Sequence, residues 1–122
     1  MEMKLELIIL PVSDVDRAKD FYANTLGFNL DQDNKVGDKL RFVQLTPLGS
    51  ACSIAIGTGL TDAAPGSVKG MQVVVTSAKQ AHEELKKRGV EVSDVEEHPW
   101  GTFVYFSDPD GNAWSVQELP PR

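Results

Sequence analysis

The fold is decided by one stretch, Asp108-Pro-Asp-Gly-Asn-Ala-Trp-Ser115, and by its counterpart earlier in the chain, Thr46-Pro-Leu-Gly-Ser-Ala-Cys-Ser53. The two stretches share Pro, Gly, Ala and Ser at a constant offset of 62 residues. Four matches in eight positions are a modest signal alone, but the same order of predicted elements surrounds both stretches. We therefore interpret the chain as an internal repeat of two modules.

Each module is predicted to have the order β-α-β-β-β. A helix follows the N-cap segment Ser13-Asp14-Val15-Asp16 and ends at Gly27, and a second helix begins at Ser77 and ends at Gly89. Hydrophobic pattern and turn residues predict strands over residues 5–12, 28–30, 39–46, 51–57, 71–76, 90–95, 102–107 and 112–119. We assign residues 1–58 to module one, 59–69 to a connector and 70–122 to module two of a single domain.

Composition excludes several functional classes. The net charge is −6, and the densest basic stretch, Lys86-Lys87-Arg88, comes just after Glu83-Glu84, which argues against nucleic-acid binding. Cys52 is the single cysteine, so the chain has neither an internal disulfide nor a multi-cysteine zinc site, and it fits a reducing compartment. The longest apolar run, residues 7–12, is far shorter than the roughly 20 residues of a membrane span. We expect a cytoplasmic protein whose partner is neutral or cationic.

The repeat also predicts a cavity. Each module has one helix, which covers one face of its sheet and leaves the other face concave. Two cupped sheets that face each other would enclose a space lined by side chains or filled by a ligand.

Two segments carry a family resemblance: residues 12–28, with an Arg-Ala-x-x-Phe-Tyr core and a Leu-Gly-Phe ending, and residues 108–118, with an Asp-Pro-Asp-Gly turn into the last strand. Together with the repeat, they make the chain similar to the vicinal oxygen chelate superfamily of glyoxalases, bleomycin-resistance proteins and extradiol dioxygenases. The resemblance implies an α+β fold of two tandem βαβββ modules around a cavity. It does not imply one activity, because this fold hosts lyases, isomerases, dioxygenases, thiol transferases and drug-sequestering proteins.

In metal-dependent members of that superfamily, His or Glu ligands occupy the first and last strands of each module. Alignment on the helix starts and the Asp-Pro-Asp-Gly turn places these positions at Leu7, Ser53 or Ala55, Met71 and Ser115. Such side chains do not supply the carboxylates, imidazoles or thiolates that a divalent metal needs. We therefore predict no metal and no other cofactor.

The strand parity behind this prediction is left open by the sequence, because both faces of the first strands are apolar. A slip of one residue would bring Glu6 and Gln72 inward and turn Leu7 and Met71 outward. Even then, the last strand would offer only Gln117 or Glu118 in place of Ser115.

Two aromatic residues, Phe103 and Tyr105, alternate on the strand before the turn. The resemblance implies that they face the cavity, as the corresponding residues do in the fosfomycin-resistance branch, whereas simple core packing is the alternative. The same parity gives the predicted pocket an apolar lining with a few polar groups, which is typical of small-molecule sites. Its other predicted members are Ser115, Gln117, Met71, Leu7 and Ser53.

The segment Glu96-Glu97-His98-Pro99-Trp100 is placed where a cavity mouth is expected. His98 lies beside two carboxylates and is a candidate ligand contact, although a solvated loop histidine is the simpler interpretation. Trp100 is too large to be left exposed without cost, so we predict that it contacts a ligand or a second subunit. His82 is interpreted as a surface residue.

Other prominent residues are interpreted as structural. Trp114 and Cys52 hold equivalent places in the two modules with the opposite parity to the neighbouring serines, which points them toward the helices. In the Asp-Pro-Asp-Gly turn, Asp108 is predicted to cap the turn and Gly111 to adopt a positive φ.

Our leading hypothesis is a metal-free small-molecule-binding protein of the bleomycin-resistance type that sequesters a hydrophobic or cationic organic ligand. The alternative is a divalent-metal-dependent lyase, isomerase or dioxygenase of the same superfamily, and a structural or regulatory subunit with a filled cavity is a third. The resemblance also implies a homodimer, but the sequence does not decide whether modules pair within one chain or across two.

Overall fold

A computed structural model describes residues 1–121, in which each half of the chain forms one four-stranded sheet. Sheet one comprises β1 (Leu7–Ile9), β2 (Asn29–Val36), β3 (Leu40–Thr46) and β4 (Ser53–Thr58), with helix α1 (Val15–Asp20) continuing into a π-helical turn (Phe21–Thr25). Sheet two comprises β5 (Met71–Val75), β6 (Glu96–His98), β7 (Gly101–Ser107) and β8 (Ala113–Glu118), with helix α2 (Ala78–Lys87). The predicted fold of two tandem βαβββ modules is confirmed.

The two sheets have the same topology. Their strand orders are β1-β4-β3-β2 and β5-β8-β7-β6. In each sheet the first strand pairs in parallel with the last, and the other pairs are antiparallel. The parallel pair requires a crossover connection, which the helix of each module supplies. Among residues 1–121, no helix is long and apolar enough to cross a membrane.

Helix α2 has the predicted N-cap Ser77, whereas α1 begins one residue later than the Ser13–Asp16 capping pattern predicts, with Asp14 as its N-cap. The Asp14 carboxylate accepts a hydrogen bond from the Arg17 backbone N–H at 3.0 Å, and the Ser77 hydroxyl accepts one from that of Gln80 at 3.1 Å. These bonds satisfy backbone donors that have no partner within the helix.

Strand β2 is longer than the sequence analysis predicts. The sequence predicts a turn over the polar residues 31–34, but these residues continue the strand to Val36, and the turn lies at residues 37–39. Their side chains have partners outside the strand: Asp33 contacts Lys19 and Arg41, and Gln32 donates to Gln44 at 3.2 Å. The turn propensity of these residues is therefore overridden by tertiary contacts that cannot be recognised from the sequence.

The prediction of a strand over residues 90–95 is also wrong, since the strand β6 is displaced to Glu96–His98. In the intervening segment, Val90 is buried and Val92 packs against the core. Their hydrophobic side chains therefore attach this segment to the core and do not indicate a paired strand. Ser93 makes the one backbone link from this segment to β7 that the structure records, donating to the Tyr105 carbonyl at 2.9 Å.

The two sheets share a single hydrophobic core on their helix-covered faces. Ring contacts join the modules there: Tyr22 lies 5.8 Å from Trp114 and Phe21 lies 6.2 Å from Phe106, measured between ring centroids. Because adjacent strand residues point to opposite faces, the concave faces turn away from this core. Within one chain, the two concave faces therefore do not face each other.

The Asp-Pro-Asp-Gly turn connects the modules on the same side. Asp108 accepts hydrogen bonds from the backbone N–H groups of Asp110 and Asn112 at 3.0 and 2.9 Å, and Gly111 has a φ of 99°, which confirms the predicted turn chemistry. Asp110 also accepts a hydrogen bond of 2.6 Å from the Ser13 hydroxyl. Asn112 donates to the Pro11 carbonyl at 2.9 Å.

Candidate ligand-binding site

The face of each sheet that turns away from the shared core is called its open face. On sheet two, strand register identifies the members of this face, because Tyr105 pairs with Ser115 and Phe103 pairs with Gln117. The strand residues of this open face include Gln72, Val74, Glu96, His98, Phe103, Tyr105, Ser115 and Gln117. The open face of sheet one includes Leu7, Ile9, Asp31, Gln32, Asn34, Phe42, Gln44, Thr46, Ser53 and Ala55.

Met71 is not a member of the site, and its prediction is corrected. It pairs with Trp114, is 8% exposed and belongs to the hydrophobic core. Its neighbour Gln72 pairs with Ser115 and points to the open face, where Gln72 Nε2 donates to Gln117 Oε1 at 2.7 Å. One residue of register separates the prediction from the observed position.

The remaining predicted site residues fall on two separate surfaces. Leu7 and Ser53 are paired on the open face of sheet one. Phe103, Tyr105, Ser115, Gln117 and His98 lie on the open face of sheet two, and Trp100 lies at its rim in the turn between β6 and β7. The structure thus brings together the residues within each sheet, but not those of the two sheets.

The centre of the sheet-two site is a row of four rings, in two stacked pairs that meet edge-on. Phe103 and Tyr105 are parallel within 2°, with centroids 5.9 Å apart. His98 stacks on Trp100 at 4.9 Å and meets Phe103 edge-on at 5.8 Å. Four rings therefore form one continuous cluster. Phe103 is 5% exposed within it, so His98, Trp100 and Tyr105 supply the accessible surface for a flat apolar or cationic group.

The hairpin between β6 and β7 presents the Trp100 end of this row. Gly101 has a φ of 145°, and a Cβ there would lie 2.7 Å from the Glu118 carbonyl oxygen, so glycine is required. Gln117 Nε2 donates to the Trp100 carbonyl at 2.9 Å and fixes the turn against β8. The Trp100 side chain nevertheless remains 62% exposed, which leaves its indole available for a ligand or a subunit.

The open face of sheet one is polar by comparison. Thr46 Oγ1 lies 2.7 Å from Ser53 Oγ and donates to Asp31 at 2.5 Å. Gln44 Nε2 lies 3.3 Å from both Ser53 Oγ and the Asp31 carboxylate. The hydrogen bond from Thr46 holds the pKa of Asp31 below its ordinary value, with further help from Asn29 and Gln44. Asp31 therefore supplies a stable negative charge on this face.

Sheet two adds a second acidic group. Glu96 lies on the open face opposite Phe103, and its carboxylate is 3.7 Å from His98 Nε2. Desolvation, followed by the Glu96 carboxylate, raises the pKa of Tyr105, so its hydroxyl remains a neutral donor. Among the described strand residues, the only Lys and Arg are Lys35 and Arg41, and both point to the helix-covered side. The open faces are thus acidic and aromatic.

The donor set does not fit a divalent metal. Register places Leu7 with Ser53 and Gln72 with Ser115 at the four positions where the resemblance would put ligands. Two hydroxyls, one amide and a hydrocarbon do not form a site for zinc or iron. Within residues 1–121, no group of three or more His, Cys, Asp or Glu side chains is arranged to hold a metal ion.

The residues predicted to have structural or surface roles differ in how deeply they are buried. Trp114 is 2% exposed in the shared core, in agreement with its predicted parity, and Cys52 is partly buried. His82 is not a simple surface residue, because its Nδ1 lies 2.9 Å from the Ser93 carbonyl oxygen. It therefore ties α2 to the segment before β6.

Several open-face residues were missed by sequence reasoning. Asp31, Gln32 and Asn34 looked like turn residues, and Gln44 alternates with Val43 and Leu45 on β3. Of these, the alternation on β3 was a readable signal, since it marks one face as polar. The sequence contains no such signal for Glu96, because the face on which Glu96 lies depends on where β6 begins.

Comparison with known proteins identifies the family. The family model of the glyoxalase/bleomycin resistance protein/dioxygenase superfamily matches residues 4–116. The chain belongs to this superfamily. The uncharacterized protein YetH from Bacillus subtilis (strain 168) is 26% identical over 122 residues, which cover 97% of this chain and 100% of YetH.

Solved structures of glyoxalase/bleomycin resistance relatives agree over almost the whole chain. TnmS3, an antibiotic binding protein from Streptomyces sp. CB03234, is 34% identical with a TM-score of 0.88, and the match covers 98% of each chain. A superfamily member from Sphaerobacter thermophilus DSM 20745 is 32% identical with a TM-score of 0.83, covering 95% of this chain and 97% of that one. The resemblance stated from the sequence is thus confirmed for family and fold.

Proposed function

We propose that this protein binds and sequesters a hydrophobic or cationic aromatic organic molecule on its open faces, without a metal ion. The observation that carries the proposal is the row of four rings on sheet two, bordered by the Glu96 carboxylate. A cation over an aromatic face is attracted by the ring quadrupole, and a neighbouring carboxylate adds a Coulomb attraction. The similarity to TnmS3, an antibiotic binding protein, supports a small-molecule ligand.

We also propose that the complete site forms in a homodimer, with the open face of sheet one facing that of sheet two in the partner. The two faces turn away from the shared core, so one chain alone offers only half of the lining. Large apolar side chains remain exposed on both faces: Ile9 is 38% exposed and Val74 is 61% exposed. Burial of such residues against a second copy favours association.

Binding is tested with a matched pair of probes, the 1-methylquinolinium cation and neutral 1-methylnaphthalene, titrated by calorimetry. We expect both to bind and the cation to bind more tightly. Replacing Tyr105→Ala should weaken binding of the cation about tenfold, which corresponds to about 1.4 kcal/mol of cation–π and stacking energy. Thr102→Ala, on the helix-covered side of β7, is the control and should leave the affinity unchanged.

Two results would refute the proposal. The first is no binding of either probe by the full chain. The second is about one divalent metal ion per chain in elemental analysis of protein purified without chelators, since that would favour the metal-dependent alternative.

The dimer is tested by complementation between two blocked variants, Gln44→Trp on sheet one and Ser115→Trp on sheet two. If each site combines faces from two copies, each variant alone has no intact site, whereas a mixed dimer regains one site of two. If a site combines faces of one chain, mixing restores nothing. Sedimentation equilibrium of the wild type should show the dimer mass, and a monomer that binds at full stoichiometry would overturn this arrangement.

A further inference from the structure

The structure contains a second apolar recess, on the helix-covered side of sheet two and therefore separate from both open faces. It lies between the end of the π-helical turn and α2, and its volume is about 220 Å³. We call it the helix-side cleft, with Phe106, Trp114 and Val116 as its floor and Leu26, Phe28 and Ala81 among its walls. We propose that this cleft binds a small neutral aromatic molecule of one or two fused rings.

The floor is chemically suited to such a ligand. Phe106 and Trp114 are stacked with their planes within 7° and their centroids 5.9 Å apart, and both are buried. The Trp114 Nε1–H already donates to the Tyr22 hydroxyl at 3.0 Å. Because that polar hydrogen is engaged, the floor presents hydrocarbon and ring surface to the cleft, and this favours a ligand without polar groups at its inner end.

One wall is built by an unusual helical turn. The Leu26 backbone N–H donates to the Phe21 carbonyl, five residues earlier, at 2.9 Å. Gly27 follows with a φ of 79°, and Phe28 then enters the wall of the cleft. Turns of the π type are rare, and they occur frequently at functional sites. Leu26 and Phe28, which follow this turn, line the cleft together with Trp114.

The rim explains why the ligand is neutral. Arg88 crosses from α2 toward the end of the π-helical turn, where its guanidinium donates to the carbonyls of Thr25 and Leu26 at 3.2 and 3.1 Å. Its Nε also bonds to Glu84 at 3.0 Å. The Arg88 guanidinium at the rim therefore already has acceptors within the protein, and an anionic ligand is not needed to pair with its charge. Arg88 acts as a bridge that holds the two walls at their present separation.

Size limits the ligand further. Apolar cavities of about 150 Å³ are known to remain dry and to bind benzene. The volume of the helix-side cleft exceeds this by enough for a fused two-ring molecule such as indole.

The test uses indole as the probe and the full chain as the protein, with binding followed by NMR of the Trp114 and Phe106 side chains. Ala81→Leu fills the cleft from α2 and should weaken indole binding at least tenfold. Ser115→Ala, on the other face of β8, is the matched control and should change it less than twofold. Saturable shifts that are confined to the cleft and lost in Ala81→Leu support the proposal.

A second variant keeps the test valid if Ala81→Leu does not fold. Leu85→Ala enlarges the cleft from the same helix, and it should tighten binding of the larger probe naphthalene relative to indole. The proposal is overturned if the wild type gives no saturable shifts with indole up to its solubility limit. It is equally overturned if the shifts map to Tyr105 and Phe103, or if neither variant changes the affinity.

Discussion

Tyr22 and Asp108 form a buried hydrogen bond between the two modules, in which the Tyr22 hydroxyl donates to Asp108 Oδ2 at 2.7 Å. The same hydroxyl accepts from Trp114 Nε1 at 3.0 Å, and Asn112 Nδ2 donates to the same carboxylate oxygen at 2.8 Å. Two features recognised in the sequence, the Phe-Tyr pair of the first helix and the Asp-Pro-Asp-Gly turn, therefore meet at one polar network. Such a network stabilises the relative placement of the modules when every member has a partner.

Replacing Tyr22→Phe should destabilise the fold without changing the shape of the core. The variant leaves the Trp114 N–H without its acceptor and Asp108 without one donor. Each unsatisfied buried group costs about 1–3 kcal/mol, so we expect the free energy of unfolding to fall by about 2–4 kcal/mol in urea titrations. Tyr105→Phe is the matched control, because its hydroxyl is on a half-buried open face, and it should change the free energy by less than about 0.5 kcal/mol. Equal effects of the two variants would contradict the role of the network.

The network also predicts a loss of stability at alkaline pH. Burial, followed by the Asp108 carboxylate, raises the pKa of Tyr22 far above its ordinary value of about 10. Above that pH the unfolded chain loses the tyrosine proton while the folded protein retains it, so the unfolded state binds fewer protons and stability falls as pH rises. Urea titrations between pH 8 and pH 11.5 should show this decline, and Tyr22→Phe should flatten it. An identical decline in the variant would assign it to other groups.

The sequence was sufficient for the repeat, the family and, to within one residue, the helix starts, because these depend on local patterns that tertiary contacts reinforce. It was insufficient for strand parity in module two. Four residues separate β1 from the N-cap Asp14, whereas only Thr76 separates β5 from the N-cap Ser77. Aligned on Ser13 and Ser77, Leu7 corresponds to Met71, whereas the observed register makes Gln72 its counterpart, because Leu7 pairs with Ser53 and Gln72 pairs with Ser115.

The sequence also could not show which faces of the two sheets pack against each other. Alternation along a strand tells which residues share a face, but not which faces meet. Only the contacts of Tyr22 and Phe21 with module two show that the helix-covered faces adjoin within one chain. The length of β2 was hidden for a similar reason, because the partners of Asp33 lie on α1 and β3.

Asp33 should make stability sensitive to acid. Arg41, followed by Lys19, holds the pKa of Asp33 well below its ordinary value, through hydrogen bonds from Arg41 at 3.0 and 2.9 Å and from Lys19 at 2.8 Å. A depressed pKa contributes stability that is present above about pH 4 and lost as pH falls below it. Asp33→Asn should therefore lower the free energy of unfolding by about 1 kcal/mol at pH 7, and the difference should shrink toward pH 2.

The control for Asp33 is Asp16→Asn, which removes the other carboxylate that contacts Arg41. The Asp16 side chain is 82% exposed, compared with 21% for Asp33. Solvent screening should reduce its effect to less than about 0.5 kcal/mol. If both variants lose the same stability at pH 7, or if the Asp33→Asn difference does not depend on pH, the ion-pair explanation fails.

Adjacent substitutions on β5 give the sharpest test of strand parity at the site. Met71 packs in the core opposite Trp114, so Met71→Ala should lower the free energy of unfolding by about 2–5 kcal/mol and leave the affinity of the folded protein for the quinolinium probe unchanged. Gln72 is exposed on the open face, so Gln72→Ala should lower the free energy of unfolding by less than about 0.5 kcal/mol. It should, however, weaken binding of the quinolinium probe, because it releases Gln117 from its 2.7 Å hydrogen bond. Urea titration and calorimetry of both variants measure the two quantities independently. The reverse pattern, with stability lost at residue 72 and binding lost at residue 71, would restore the original alignment and contradict the observed register.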